Sequence, residues 1–189
     1  MRRELILLGL IVFFIVAIGV PDRCNAADSI SFVSEVCLTD VVSDKIDLDM
    51  YQDKVVWVDK RDGNWDIFMY DLTSQQEVRI TNDPADQFDP KVCGNRIVWL
   101  DNRNALPTQH FDIYTYDLNT GVETKITETP SVIHFACDED LVAWIWMDND
   151  DSRYNVSYSY YGDAKPIFLY QTNHVLRAVD TPSKRIICE

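Results

Sequence analysis

The sequence predicts an all-β fold, a small β-propeller of about four blades, preceded by a signal peptide or anchor helix. Three observations predict it. A tryptophan-centred apolar strand recurs, each copy is followed by the same aromatic and acidic strand, and Asp, Asn, Gly and Pro punctuate the intervals. Trp57 is followed by Trp99 after 42 residues and by Trp144 after a further 45. A period of about 40–45 residues holding four short strands is that of a propeller blade. A blade that is apolar on both faces must be packed between neighbours, so the repeated Trp is read as an inter-blade packing residue.

Residues 1–26 are read as a signal peptide or N-terminal membrane anchor, and residues 27–189 as the propeller domain. Arg2 and Arg3 form a basic start, residues 5–20 are an unbroken apolar run, and Cys24-Asn25-Ala26 offers small residues before a cut ahead of Ala27. The run is long for a signal and slightly short for a span, so both readings stay open. Either way the domain is exported, and the expected location is secreted or cell surface.

The elements of the mature chain follow in order. Lys54-Val55-Val56-Trp57-Val58-Asp59 is echoed by Arg96-Ile97-Val98-Trp99-Leu100-Asp101 and by Leu141-Val142-Ala143-Trp144. Trp65-Asp66-Ile67-Phe68-Met69-Tyr70-Asp71-Leu72 matches Phe111-Asp112-Ile113-Tyr114-Thr115-Tyr116-Asp117-Leu118, and more weakly Tyr154-Asn155-Val156-Ser157-Tyr158. A third strand follows at Glu77-Val78-Arg79-Ile80-Thr81 and Glu123-Thr124-Lys125-Ile126-Thr127, and Pro84 and Pro130 then break the chain.

These stretches resemble the TolB-like propeller family, as found in archaeal cell-surface and S-layer-type propeller proteins. The Ile97-Val98-Trp99 strand, residues 62–72 and the Ile80-Thr81-Asn82-Asp83-Pro84 turn carry the resemblance. It covers nearly all of the mature chain and weakens in the third unit, where Ser159-Tyr160-Tyr161-Gly162 replaces the Tyr-Asp-Leu segment. The resemblance implies a domain that binds proteins or envelope polymers, and few such domains are enzymes by themselves.

Phase adds to period. Glu35-Val36-Cys37-Leu38-Thr39 lies 42 residues before Glu77-Val78-Arg79-Ile80-Thr81, and Arg185-Ile186-Ile187-Cys188 matches Arg96-Ile97-Val98-Trp99. An N-terminal outer strand is therefore expected to complete the last blade. The alternative is a partial ring that pairs with a second copy, since bare edges invite association; monomer and homodimer are both open. Cys37, Cys93, Cys137 and Cys188 are an even set in an oxidising compartment. The expected bridges are Cys37–Cys188 as a latch on the ring and Cys93–Cys137 between the ends of consecutive inner strands.

The net charge of −14 argues against nucleic acid as a partner, because the phosphate backbone would be repelled over most of the surface. A membrane is expected as a partner only through the N-terminal segment if it stays uncleaved. The acidic turns around Asp59, Asp62, Asn64 and Asp66, and around Asp148 and Asp150, lack the alternating calcium-loop pattern ending in a glutamate. No cofactor is expected; Asp148 and Asp150 are weak calcium candidates, set against a turn-building role. His110, His134 and His174 share no ligand spacing, and no glycine elbow surrounds a serine, so no catalytic residue is assigned.

Asn155-Val156-Ser157 matches a glycosylation acceptor. Aligning the units places Asp49, Lys91, Phe135 and Arg177 at one position of the inner strands, where they differ in character while the packing residues agree. They are the channel-mouth binding candidates, weighed against filling of the axis, and His110 in the inserted loop joins them. The expected function is an exported protein- or polymer-binding or scaffolding module. A hydrolase or lyase acting on polysaccharide and a purely structural envelope protein are the alternatives.

Overall fold

The computed structural model describes residues 37–105, 110–128, 131–148, 153–163 and 165–172. Its regular structure there is entirely β, and every strand lies in the compact unit Val41–Glu189. The first blade consists of β1 (Lys45–Tyr51), β2 (Lys54–Asp59), β3 (Asp66–Asp71) and β4 (Gln76–Arg79). The second consists of β5 (Gln87–Cys93), β6 (Arg96–Asp101), β7 (Asp112–Asp117) and β8 (Val122–Lys125). The third consists of β9 (Val132–Cys137), β10 (Leu141–Met147), β11 (Tyr154–Tyr160) and β12 (Ile167–Thr172). Each is an antiparallel sheet whose strands pair in sequence order.

The packing follows the sequence repeat. Val55, Val56, Trp57 and Val58 of β2 are all buried, as are Ile97, Val98 and Trp99 of β6 and Val142, Ala143, Trp144 and Ile145 of β10. A continuous apolar strand of this kind is buried on both faces. Trp99 packs with Val56, Ile67 and Met69 of the first blade, and Trp144 packs with Val98 and Ile113 of the second. The tryptophan of each of these blades is thus keyed into the blade before it, as expected. The fourth strands β4 and β8 are largely exposed and form the outer rim.

Local turn chemistry sets the strand ends. Asp71 Oδ1 accepts the amides of Thr73 and Ser74, and Asp117 Oδ1 those of Asn119 and Thr120, in two equivalent Asx turns. The register of β1 and β5 shifts between Ile46 and Asp49 and between Phe88 and Lys91. Asp47 and Asp89 sit in these bulges at φ of 51° and 49°, a left-handed conformation that Asp tolerates better than most residues.

The Cys93–Cys137 disulfide joins β5 to β9 with Cα atoms 5.9 Å apart, as predicted. Cys188 lies outside the described residues, and with it the Cys37–Cys188 pair. The leader, and almost all of the expected fourth blade, also lie outside them; residues 37–39 of its leading strand are not in a strand. Asn155 corrects one expectation. It is 1% exposed on β11, with Nδ2 donating to the Arg153 carbonyl, so its amide is not open to a glycan.

Candidate functional site

The acidic residues that draw attention in the sequence are mostly consumed by the repeat. Asp59 is fully buried. It accepts hydrogen bonds from Trp57 Nε1 at 3.2 Å, Ser43 Oγ at 2.6 Å and Arg61 at 2.6 Å, and pairs with Lys45 at 3.2 Å. Burial pushes its carboxyl up, but the Arg61, Ser43, Trp57 and Lys45 bonds outweigh burial and hold it well below the usual carboxylate range. Arg61 also pairs with Glu77 and lies 3.9 Å over the Phe68 ring, which stacks on Trp57. The second blade repeats the clamp. Asp101 takes Trp99 Nε1 at 3.0 Å and Arg103 at 2.6 Å, Arg103 pairs with Glu123 at 2.6 Å, and its guanidinium lies 4.1 Å over Tyr114.

A second buried acid recurs in the same way. Asp66 pairs with Arg79 at 2.6 Å, while Asp112 takes Thr127 Oγ1 at 2.7 Å and pairs with Lys125 at 2.9 Å. The turn around Asp59 and Asp66 is therefore filled by cations of the chain itself, and no cluster of metal-ligating residues occurs among the described residues. The third blade drops the clamp. Trp146 stands where Asp59 and Asp101 stand, and Ser157 where Phe68 and Tyr114 stack. Trp146 Nε1 donates to Ser157 Oγ at 3.0 Å, and buried Trp144 Nε1 has no hydrogen-bond partner among the described residues.

The predicted channel-mouth residues separate. Asp49 Oδ2 accepts the Val92 amide at 2.8 Å and so stitches β1 to β5. Lys91 pairs with Asp89 at 3.2 Å and lies 5.6 Å from the Phe135 ring centre. Phe135 is fully buried between the second and third blades, so what it offers is packing. Nor is it equivalent to the other two in register: Asp49 pairs with Val56 and Lys91 with Val98, but Phe135 pairs with Trp144 and Ala136 takes the corresponding place. The cause is the repeat offset: Phe135 follows Lys91 by 44 residues, whereas equivalent positions of these two blades, like Trp99 and Trp144, are 45 apart. Arg177 and Asp150 lie outside the described residues. Asp148 donates its amide to the Arg153 carbonyl at 3.0 Å, and His110 Nδ1 lies 2.6 Å from Ser131 Oγ.

A different set of residues forms a depression toward the start of β5, at the end of the strand opposite Cys93. Asp86, Phe88, Asn102, Ala105 and Phe111 line about 250 Å³ of open space. Trp65, Phe88 and Phe111 make a row of half-buried rings, with centroids 6.4 Å and 6.0 Å apart and the second pair edge to face at 87°. Lys60 lies 5.0 Å over Trp65. The backbone beneath is tightly bonded: the Gln87 amide donates to Trp65 O at 2.8 Å, the Trp65 amide to Asp86 Oδ1 at 2.9 Å, and the Asp86 amide to Asn102 Oδ1 at 2.9 Å. The sequence carried a partial signal for this site. Trp65 and Phe111 occupy one repeat position, whereas Phe88 and Asn102 stand where the first blade has Ile46 and Lys60.

No family model matches the chain, and no curated protein matches it. Solved structures do. The putative TolB from Agrobacterium tumefaciens is 17% identical over 71% of this chain and 51% of its own, with a TM-score of 0.53. The β-propeller domain of the Trilobed protease from Pyrococcus furiosus is 17% identical over 69% of this chain and 43% of its own, with a TM-score of 0.56. Dipeptidyl peptidase 4 from Porphyromonas gingivalis is 18% identical over 66% of this chain and 18% of its own, with a TM-score of 0.55. The chain thus spans about half or less of the proteins it is similar to. The likeness is one of fold. With the three blades it shows a β-propeller fold, shared with the TolB structure among others.

Proposed function

We propose that the chain is an exported propeller, secreted or held at the cell surface, that binds a protein or an envelope polymer and does not itself catalyse a reaction. The observation that carries this reading is the fate of the acids. Asp59 and Asp101 are held by the same tryptophan and arginine partners in two successive blades, and Asp66 and Asp112 by cations and threonines. A carboxylate locked in a repeated ion pair is a poor acid or base, because catalysis needs a group that changes protonation beside a substrate. The solvent-facing depression, by contrast, includes Phe88 and Asn102 where the first blade has Ile46 and Lys60.

A disulfide between blades supports an oxidising compartment. Propeller neighbours such as TolB support a role in binding. The reading needs no cofactor, and calcium at Asp148 and Asp150 is not required by it.

The test is co-sedimentation of the full chain with isolated cell envelopes, with soluble reducing ends measured in the same tubes. Saturable sedimentation without release of sugar or peptide products is expected. Time-dependent release of products would replace binding by hydrolase or lyase activity. Sedimentation that fails to saturate and persists after Lys91→Ala and Phe111→Ala would favour a purely structural envelope protein.

A further inference from the structure

We propose that the depression at Phe88 and Phe111 binds a sugar ring of a neutral polysaccharide, with the ring's C–H face on the two phenyl groups and a pair of its hydroxyls on Asp86 and Asn102. The inference deepens the binding-module reading and rests on it.

Two polar atoms carry the assignment. Asn102 Oδ1 accepts the Asp86 amide, which fixes the carboxamide orientation and turns Nδ2 the other way. Nδ2 makes no hydrogen bond to any described residue. Asp86 Oδ1 is taken by the Trp65 amide, and Oδ2 receives no donor among the described residues. The two residues are bonded in both directions, since the Asn102 amide also donates to Asp86 O at 3.3 Å. Among the described residues, one donor and one acceptor are thereby left over on a braced frame, and their residues line the same depression as an edge-to-face corner of two phenyl rings.

Ligand classes can be sorted by what they leave unpaired. A hydroxyl both donates and accepts, so neighbouring hydroxyls satisfy Nδ2 and Oδ2 together. A cationic side chain brings only donors and would strand the carboxamide. An aliphatic group would strand both atoms, at a cost for each buried polar group. An anionic sugar would meet Asp86 and a chain of net charge −14. Trp65 is not the platform, because Lys60 already lies over its ring. The first blade has Ile46 and Lys60 at the positions of Phe88 and Asn102, so this combination does not recur there.

The test uses the full chain on an array of neutral, acidic and amino glycans, followed by calorimetric titration of the best-retained neutral oligosaccharide. Retention confined to neutral glycans is expected. Asn102→Asp keeps the acceptor for the Asp86 amide but removes the donor. It should weaken binding about tenfold or more while leaving the melting temperature nearly unchanged. Phe111→Ala should weaken binding similarly. Retention of no neutral glycan, preference for acidic or cationic ones, or unchanged affinity in Asn102→Asp would overturn the proposal. Envelope co-sedimentation separates the two levels: if it persists without neutral-glycan binding, the sugar site fails alone, and if both vanish the binding module fails too.

Discussion

A fully buried carboxylate is costly unless donors surround it, and Asp59 shows how this chain meets that need. Its two oxygens are shared among an indole, a hydroxyl, a guanidinium and an ammonium. Its folded pKa is depressed, so its stabilisation is complete above the unfolded value of about 3.9 and is lost progressively as pH falls below it. Asp66 opposes it: burial raises its pKa despite Arg79, so its contribution weakens as pH rises through that raised value. Asp59→Asn should therefore cost about 2–3 kcal/mol at neutral pH in urea titrations, and the deficit should shrink as pH falls below about 4. A deficit independent of pH would show that the ionised clamp is not the source. The clamp was legible as a recurring pattern, Trp57-x-Asp59-x-Arg61 and Trp99-x-Asp101-x-Arg103. Its role was not, because an acid at a strand end looks the same in sequence whether it faces water or an indole N–H.

Elements are held in register by features smaller than a strand. The bulges at Asp47 and Asp89 let Asp49 reach the Val92 amide and Asp47 the Asp89 amide, stitching the first two inner strands together. Phe135 follows Lys91 by 44 residues where the tryptophans are 45 apart, so aligning the two in sequence mispairs them by one. Strand identity, order and the central tryptophans follow from alternation and punctuation. A one-residue slip does not show in composition, although it turns every side chain to the other face. Between the second and third blades the Cys93–Cys137 bridge closes a loop with a sequence separation of 44. Loop-closure entropy for that length corresponds to about 4 kcal/mol. The Cys93→Ala, Cys137→Ala double variant should lose roughly that stability in denaturant titrations, less any native-state strain the bridge imposes. A loss below about 1 kcal/mol would show that packing of Trp144 and Phe135 alone joins the blades.

Across the whole molecule, the repeat and the departures from it divide the labour. Trp99 and Trp144 key each blade into the one before, and the paired acids brace the first two blades from within. Near the depression, Phe88 and Asn102 depart from that pattern, standing where the first blade has Ile46 and Lys60. The architecture was visible because it recurs, and the cleft was nearly invisible because it brings Asp86, just before β5, together with Asn102 and Phe111 from the two ends of the β6–β7 connection. Native-state hydrogen exchange of the full chain tests the interlocking most directly. Amides of β2, β6 and β10 should be the slowest and should open together, with one common free energy equal to that of global unfolding. If the amides of one blade instead exchange through a separate opening of much lower free energy, the blades are independent and the keyed tryptophans do not unite them.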